Sequence, residues 1–182
     1  MLRIISGKYR SRILKQPNKQ TTRPTLDRAR EAIFSSIQFD IENKEFLDLF
    51  SGSGSFCLEA LSRGAKKAIS VEKDLEAYKI ICQNKNNLKE NNLEVYNIDA
   101  LTFLKRNLDK KFDFVYLDPP FVQKKLLVEC LDMLTSNSML KKEGKIIIET
   151  DWKDFNYSNN DFLISKVKKY GKICIYFIEK IS

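Results

Sequence analysis

Two stretches of the chain carry residue types suited to chemistry. The first is Asp48-Leu-Phe-Ser-Gly-Ser-Gly-Ser55. Gly52 and Gly54 would let the backbone turn sharply from strand to helix and come close to a ligand. Glu72 closes the next apolar run, where an acid can accept hydrogen bonds from ribose hydroxyls. Position 57 is Cys, where the dinucleotide fingerprint asks for Gly or Ala, so the pattern points to an adenosine-bearing cofactor without naming it. The second stretch is Asp118-Pro119-Pro120-Phe121. Its prolines fix φ and remove two N–H donors, so the loop presents carbonyls and one carboxylate. An exocyclic NH2 on a planar base fits that set: Asp118 and a proline carbonyl accept its two N–H bonds, and Phe121 offers a face for stacking. Held so, the nitrogen directs its electron density at an electrophilic methyl, a gain of position and electrostatics. Taken singly, each stretch could be an ordinary tight turn. Their occurrence in one chain argues against coincidence.

Composition narrows the chemistry further. The chain has no histidine, which removes imidazole general bases, Ser-His-Asp triads and the usual zinc sites. Four cysteines, at 57, 82, 130 and 174, form no Cys-x-x-Cys pair and read as reduced core thiols. Residues 1–30 hold nine Lys and Arg against one acid, Asp27, so they carry the entire formal excess of +8. Charge concentrated in this way is the footprint of a polyanion partner. The longest apolar run, Ile173 to Ile178, is far short of a membrane span, and basic residues interrupt the start where a signal peptide would be apolar.

These residues need elements to position them. A length of 182 residues suits one domain. Leu2 to Ile5 and Arg12 to Leu14 read as a short hairpin with Gly7 near its turn. Thr25 can cap a helix after Pro24, with Leu26, Ala29, Ile33 and Ile37 on one face. Strands are expected at 45–50, 67–71, 93–98, 112–117 and 145–149, the last preceded by Gly144. Helices are expected over 55–63, from Asp74, from Ala100 and around Leu127 to Leu134, with the second fraying into the polar run 83–92. Strands at 162–167 and 173–178 flank Gly171 as an antiparallel hairpin. This alternation predicts an α/β fold: a mostly parallel sheet covered on both faces, with an antiparallel C-terminal hairpin and a small basic N-terminal hairpin and helix.

Further motifs narrow the reading. Arg3-Ile-Ile-Ser-Gly-Lys-Tyr-Arg10, Thr22-Arg-Pro-Thr-Leu-Asp-Arg28 and Leu58-Glu-Ala-Leu-Ser-Arg-Gly-Ala65 join the two motifs above. On these residues, covering nearly the whole length, the chain resembles S-adenosylmethionine-dependent methyltransferases of the class I, Rossmann-like fold. More narrowly, it resembles the RsmD family, which methylates N2 of one guanine in 16S rRNA of the small ribosomal subunit. The N-terminal pair of motifs is the most specific part. One departure is Ser51, where family members commonly show Ala.

The resemblance implies roles. Asp48 and the backbone of Phe50, Ser51, Gly52 and Gly54 would hold the methionine part of the cofactor, and Glu72, with Lys73 beside it, the ribose hydroxyls. Asp99, before Ala100, would meet the adenine amine. Asp118, Pro119, Pro120 and Phe121 would hold the target guanine, with Asp118 also beside the cofactor. Arg23 and Thr25 would lie near cofactor or base, and Lys8, Arg10, Arg12, Lys15 and Arg28 would grip the rRNA backbone. Residues 1–40 would form the rRNA-contacting part of a compact unit whose residues 41–182 carry methyl transfer. No metal is implied, and the protein is expected in the cytoplasm as a monomer. Two other enzyme readings compete. A DNA adenine-N6 methyltransferase shares the Asp-Pro-Pro-aromatic chemistry, but no residues remain for a DNA recognition domain, and a duplex base must be flipped out. A nucleotide-dependent oxidoreductase leaves Asp118 to Phe121 and the basic arm unexplained. A non-enzymatic RNA-binding module would explain only the arm.

Overall fold

A single seven-stranded sheet organises the protein in the computed structural model, which describes residues 1–17 and 24–181. Its spatial order is β3-β2-β1-β4-β5-β7-β6. Strands β1 (Glu45–Asp48), β2 (Lys67–Val71), β3 (Leu93–Tyr96), β4 (Phe112–Leu117) and β5 (Leu140–Thr150) pair in parallel. Strand β7 (Ile173–Lys180) runs antiparallel to both β5 and β6 (Phe162–Tyr170). Chain order reverses between β1 and β4, which puts Asp48, the last residue of β1, and Asp118, just past β4, at two neighbouring carboxyl ends. Open α/β sheets bind ligands at that switch point.

Side chains of β4 alternate between two cores. Phe114 and Tyr116 face the layer of α1 (Pro24–Ser36), α2 (Ser55–Ser62) and α3 (Leu75–Leu88), while Val115 and Leu117 face α4 (Ala100–Arg106) and α5 (Lys124–Ser136). Burial on both faces explains why these strands read as near-continuous apolar runs.

Several elements differ from expectation. Thr25 lies inside α1 rather than capping it: Pro24 takes the first helical position, where its missing N–H costs nothing. The side chains of Thr25 and Leu26, and all of Arg23, lie outside the described residues. Helix α3 does not fray at Gln83 but runs to Leu88, and Lys89 ends it in the left-handed conformation at φ 53°. Gly144 sits within β5, in a bulge where the register slips between Phe112↔Leu140 and Phe114↔Lys145. The N-terminal hairpin contracts to one bridge, Arg3↔Ile13, flanked by the backbone bonds Ile4 N–H to Arg12 (3.0 Å) and Leu14 N–H to Leu2 (3.0 Å), and the arm is also held by helices. Buried Glu59 on α2 accepts from the N–H groups of Ile5 (2.7 Å) and Ser6 (3.0 Å). Gly7, at φ 84°, lies against the Ser62 carbonyl, where any side chain would collide. Leu2, Ile4 and Leu14 complete the core under α1 and α2.

Candidate active site

A cavity of about 1000 Å³ opens at the switch point. It gathers Asp48, Phe50, Ser51, Gly52, Glu72, Lys73, Asp99 and Ala100 with Asp118, Pro119, Pro120 and Phe121. Gly54 does not line it. At φ 77° Gly54 precedes α2, and a Cβ there would meet Ile81 Cγ2 at 2.9 Å. Its lack of a side chain serves the packing of α2 against α3.

The glycine turn is held together largely from within. Phe50 N–H donates to Asp48 Oδ1 (3.0 Å), Ser51 N–H to the Val71 carbonyl (3.1 Å), and Gly54 N–H to the Ser51 carbonyl (2.7 Å). Gly52 N–H donates to Glu72 Oε2 (2.8 Å), while Glu72 Oε1 accepts from Asp74 N–H (2.8 Å). Glu72 is thus oriented through both oxygens, each keeping acceptor capacity for a hydroxyl. The amides of Phe50, Ser51, Gly52 and Gly54 are already used, so this part of the expected backbone cradle offers carbonyls rather than N–H donors. Ser51, the departure from the usual Ala, donates its hydroxyl to the Asp48 carbonyl (3.0 Å). Asp99 Oδ1 caps α4 by accepting from Thr102 N–H (2.9 Å).

The Asp-Pro-Pro-Phe turn is similarly narrowed. The Pro120 carbonyl accepts Gln123 N–H (2.8 Å), which leaves the Pro119 carbonyl to pair with Asp118 as an amine acceptor. Phe121 is 41% exposed at the rim, its ring open for stacking. Beneath the turn, the Tyr116 hydroxyl donates to Glu149 Oε2 (2.8 Å), and Tyr116 stacks on Phe56 with centroids 3.9 Å apart. Burial raises the pKa of Asp48 to about 7, with the charge of Glu72 adding to it. Burial, then the charges of Glu149 and Asp48, push Asp118 well above the carboxylate range. Burial also raises Glu149, against the Tyr116 hydrogen bond. Such a group of acids favours a cationic ligand, or protons in its absence.

Sequence reasoning missed the wall that faces these acids. It comes from the N-terminal arm and α1: Leu2, Gln16, Asp27 and Arg30. Arg30, counted above within the basic excess, is 3% exposed and cannot grip a polyanion from the surface. Lys8 is also partly committed, to Glu90 at 2.8 Å. Arg10, Arg12, Lys15 and Arg28 are exposed as expected. Arg12 reaches the Asn87 carbonyl (3.2 Å), and Lys15 reaches Gln83 Oε1 (3.3 Å). Buried Asn84 bonds the Lys15 backbone in both directions and also donates to the Ser53 carbonyl (3.0 Å), tying the arm to the glycine turn. The polar run 83–92, expected only as a fraying helix end, is where the arm docks.

Comparison with known proteins agrees with this geometry. A family model described as Conserved hypothetical protein 95 matches residues 2–179. Ribosomal RNA small subunit methyltransferase D of Escherichia coli (strain K12) is 37% identical over 150 residues, covering 82% of this chain and 75% of that protein. Its namesake in Haemophilus influenzae is 39% identical over 153 residues, covering 82% and 79%. The solved structure of yhhF from Escherichia coli superposes with a TM-score of 0.89 at 32% identity, covering 100% of this chain and 98% of that one. Sheet order, cavity and relatives converge: the chain belongs to the RsmD family, and its fold is the Rossmann-like class I methyltransferase fold.

Proposed function

We propose that the protein is an S-adenosylmethionine-dependent methyltransferase acting on the exocyclic N2 amine of a guanine in 16S rRNA of the small ribosomal subunit. One observation carries the reading: the amine-accepting turn at Asp118 and the glycine turn held by Glu72 end adjacent strands and open into one acid-lined cavity. The names of the relatives support rRNA of the small subunit as the substrate.

S-adenosylmethionine supplies a methyl group on a positively charged sulfur, which suits a cavity walled by Asp48, Asp118 and Glu149. Asp118 and the Pro119 carbonyl accept the two amine hydrogens and aim the nitrogen lone pair, while Phe121 stacks on the base. The C–N bond forms as the C–S bond breaks, leaving S-adenosylhomocysteine. The proton displaced from nitrogen passes to Asp118, ionised beside the cationic cofactor, or to water. Arg10, Arg12, Lys15 and Arg28 hold the RNA backbone along residues 1–40.

The test is incubation with radiolabelled S-adenosylmethionine and small subunits lacking the modification, followed by digestion of the rRNA. Label on N2-methylguanosine is the expected result. Label on N6-methyladenosine would retain methyl transfer and overturn the guanine assignment, and no labelled nucleoside would overturn the proposal.

A further inference from the structure

Arg30 is a cation that rRNA gripping does not use. It lies in the second turn of α1, 3% exposed, yet it forms part of the cavity wall. Both of its described hydrogen bonds leave from Nη2, to the Arg3 carbonyl (2.9 Å) and to Asp27 Oδ1 (3.2 Å). Nε is buried without a partner among the described residues. A guanidinium in such a place is costly unless something in the cavity completes its bonding. Burial lowers its pKa despite the nearby charges of Glu59 and Asp27.

The rest of the wall indicates what that something is. Asp48, Glu72, Asp99, Asp118 and Glu149 make the cavity hostile to an anion. The amides of Phe50, Ser51, Gly52 and Gly54, which could have met one, are bonded within the turn or to neighbouring strands. Among the described lining residues the other cations, Lys73 and Lys172, are exposed, and Lys73 stands at the ribose-binding end beside Glu72. A ligand that brings a carboxylate into this cavity therefore has one buried counter-charge to find among the described residues, Arg30 on α1.

We propose that Arg30 is the binding residue for the α-carboxylate of the cofactor's methionine portion, through the in-plane N–H groups that its two described bonds, both from Nη2, leave free. The inference rests on the cofactor reading above. It gives the arm and α1 a second role, since Arg30 is itself held by the Arg3 carbonyl.

Calorimetric titration of the full chain with two ligands tests this. S-adenosylhomocysteine carries the carboxylate; S-adenosyl-3-thiopropylamine keeps the amine and the adenosine but lacks it. Arg30→Met is expected to weaken S-adenosylhomocysteine at least about tenfold, the scale of one charge-assisted hydrogen bond, and to leave the decarboxylated ligand unchanged. Unchanged binding of the second ligand also reports an intact fold. Arg30→Lys keeps the charge without the planar fork, and should weaken only the carboxylated ligand, by less. Equal losses for both ligands, or none for either, would overturn the assignment of Arg30 while leaving the cofactor reading in place. Failure of the unmodified protein to bind S-adenosylhomocysteine would overturn both.

Discussion

Asp48, Asp118 and Glu149 lie on one face of the sheet below the glycine and Asp-Pro-Pro turns, and each holds its proton more tightly than a free carboxyl. Asp48 has a folded pKa of about 7 against 3.8, so from about pH 4 to 7 the folded protein keeps a proton that the unfolded chain has released. Stability without ligand should therefore decline across that window and lose nothing more from Asp48 above it. A cationic ligand prefers the ionised acid, so the affinity for S-adenosylmethionine should rise through about pH 7 and then level. Melting curves and titrations across this range test both slopes, and Asp48→Asn should flatten them. Asp118→Asn separates binding from chemistry. It should still bind S-adenosylhomocysteine in a titration, while turnover falls on the order of 10²-fold, the scale for losing one transition-state hydrogen bond.

At the scale of elements, Gly54 joins the turn to the core. Gly54→Ala forces a side chain at φ 77° against Ile81, and should destabilise the fold by about 1–3 kcal/mol in denaturant unfolding. Strands β1, β2 and β4 were legible because burial on both faces leaves an uninterrupted apolar run. Both turns of the site were legible because their chemistry is local. What the sequence hid is non-local. Asn84 meets Lys15 across 69 positions, and Glu59 meets Ile5 across 54. Arg30 looked like one more surface base because nothing near it in sequence marks the wall it completes. A polar run can be a solvated helix end or a dock, and only tertiary packing decides between them.

For the whole molecule, the basic excess divides between roles. Arg30 is enclosed and Lys8 is half engaged with Glu90, while Arg10 is exposed on the surface. Neutralising Arg10, Arg12 and Lys15 together should weaken RNA binding and flatten its dependence on salt by about 0.7–0.9 in log–log slope for each phosphate no longer neutralised, with the affinity for S-adenosylhomocysteine unchanged. Filter binding over a salt series reads that slope. The position of β7 has its own consequence. It lies between β5 and β6 although it follows both in the chain, and Ile173 at its start lines the cavity. During synthesis, β5 waits with one edge unpaired while β6, made next, has no neighbour in the sheet to join. The pocket then acquires its last wall only when β7 slides in between them. A ribosome building this protein must therefore make every strand before the product can act on ribosomal RNA.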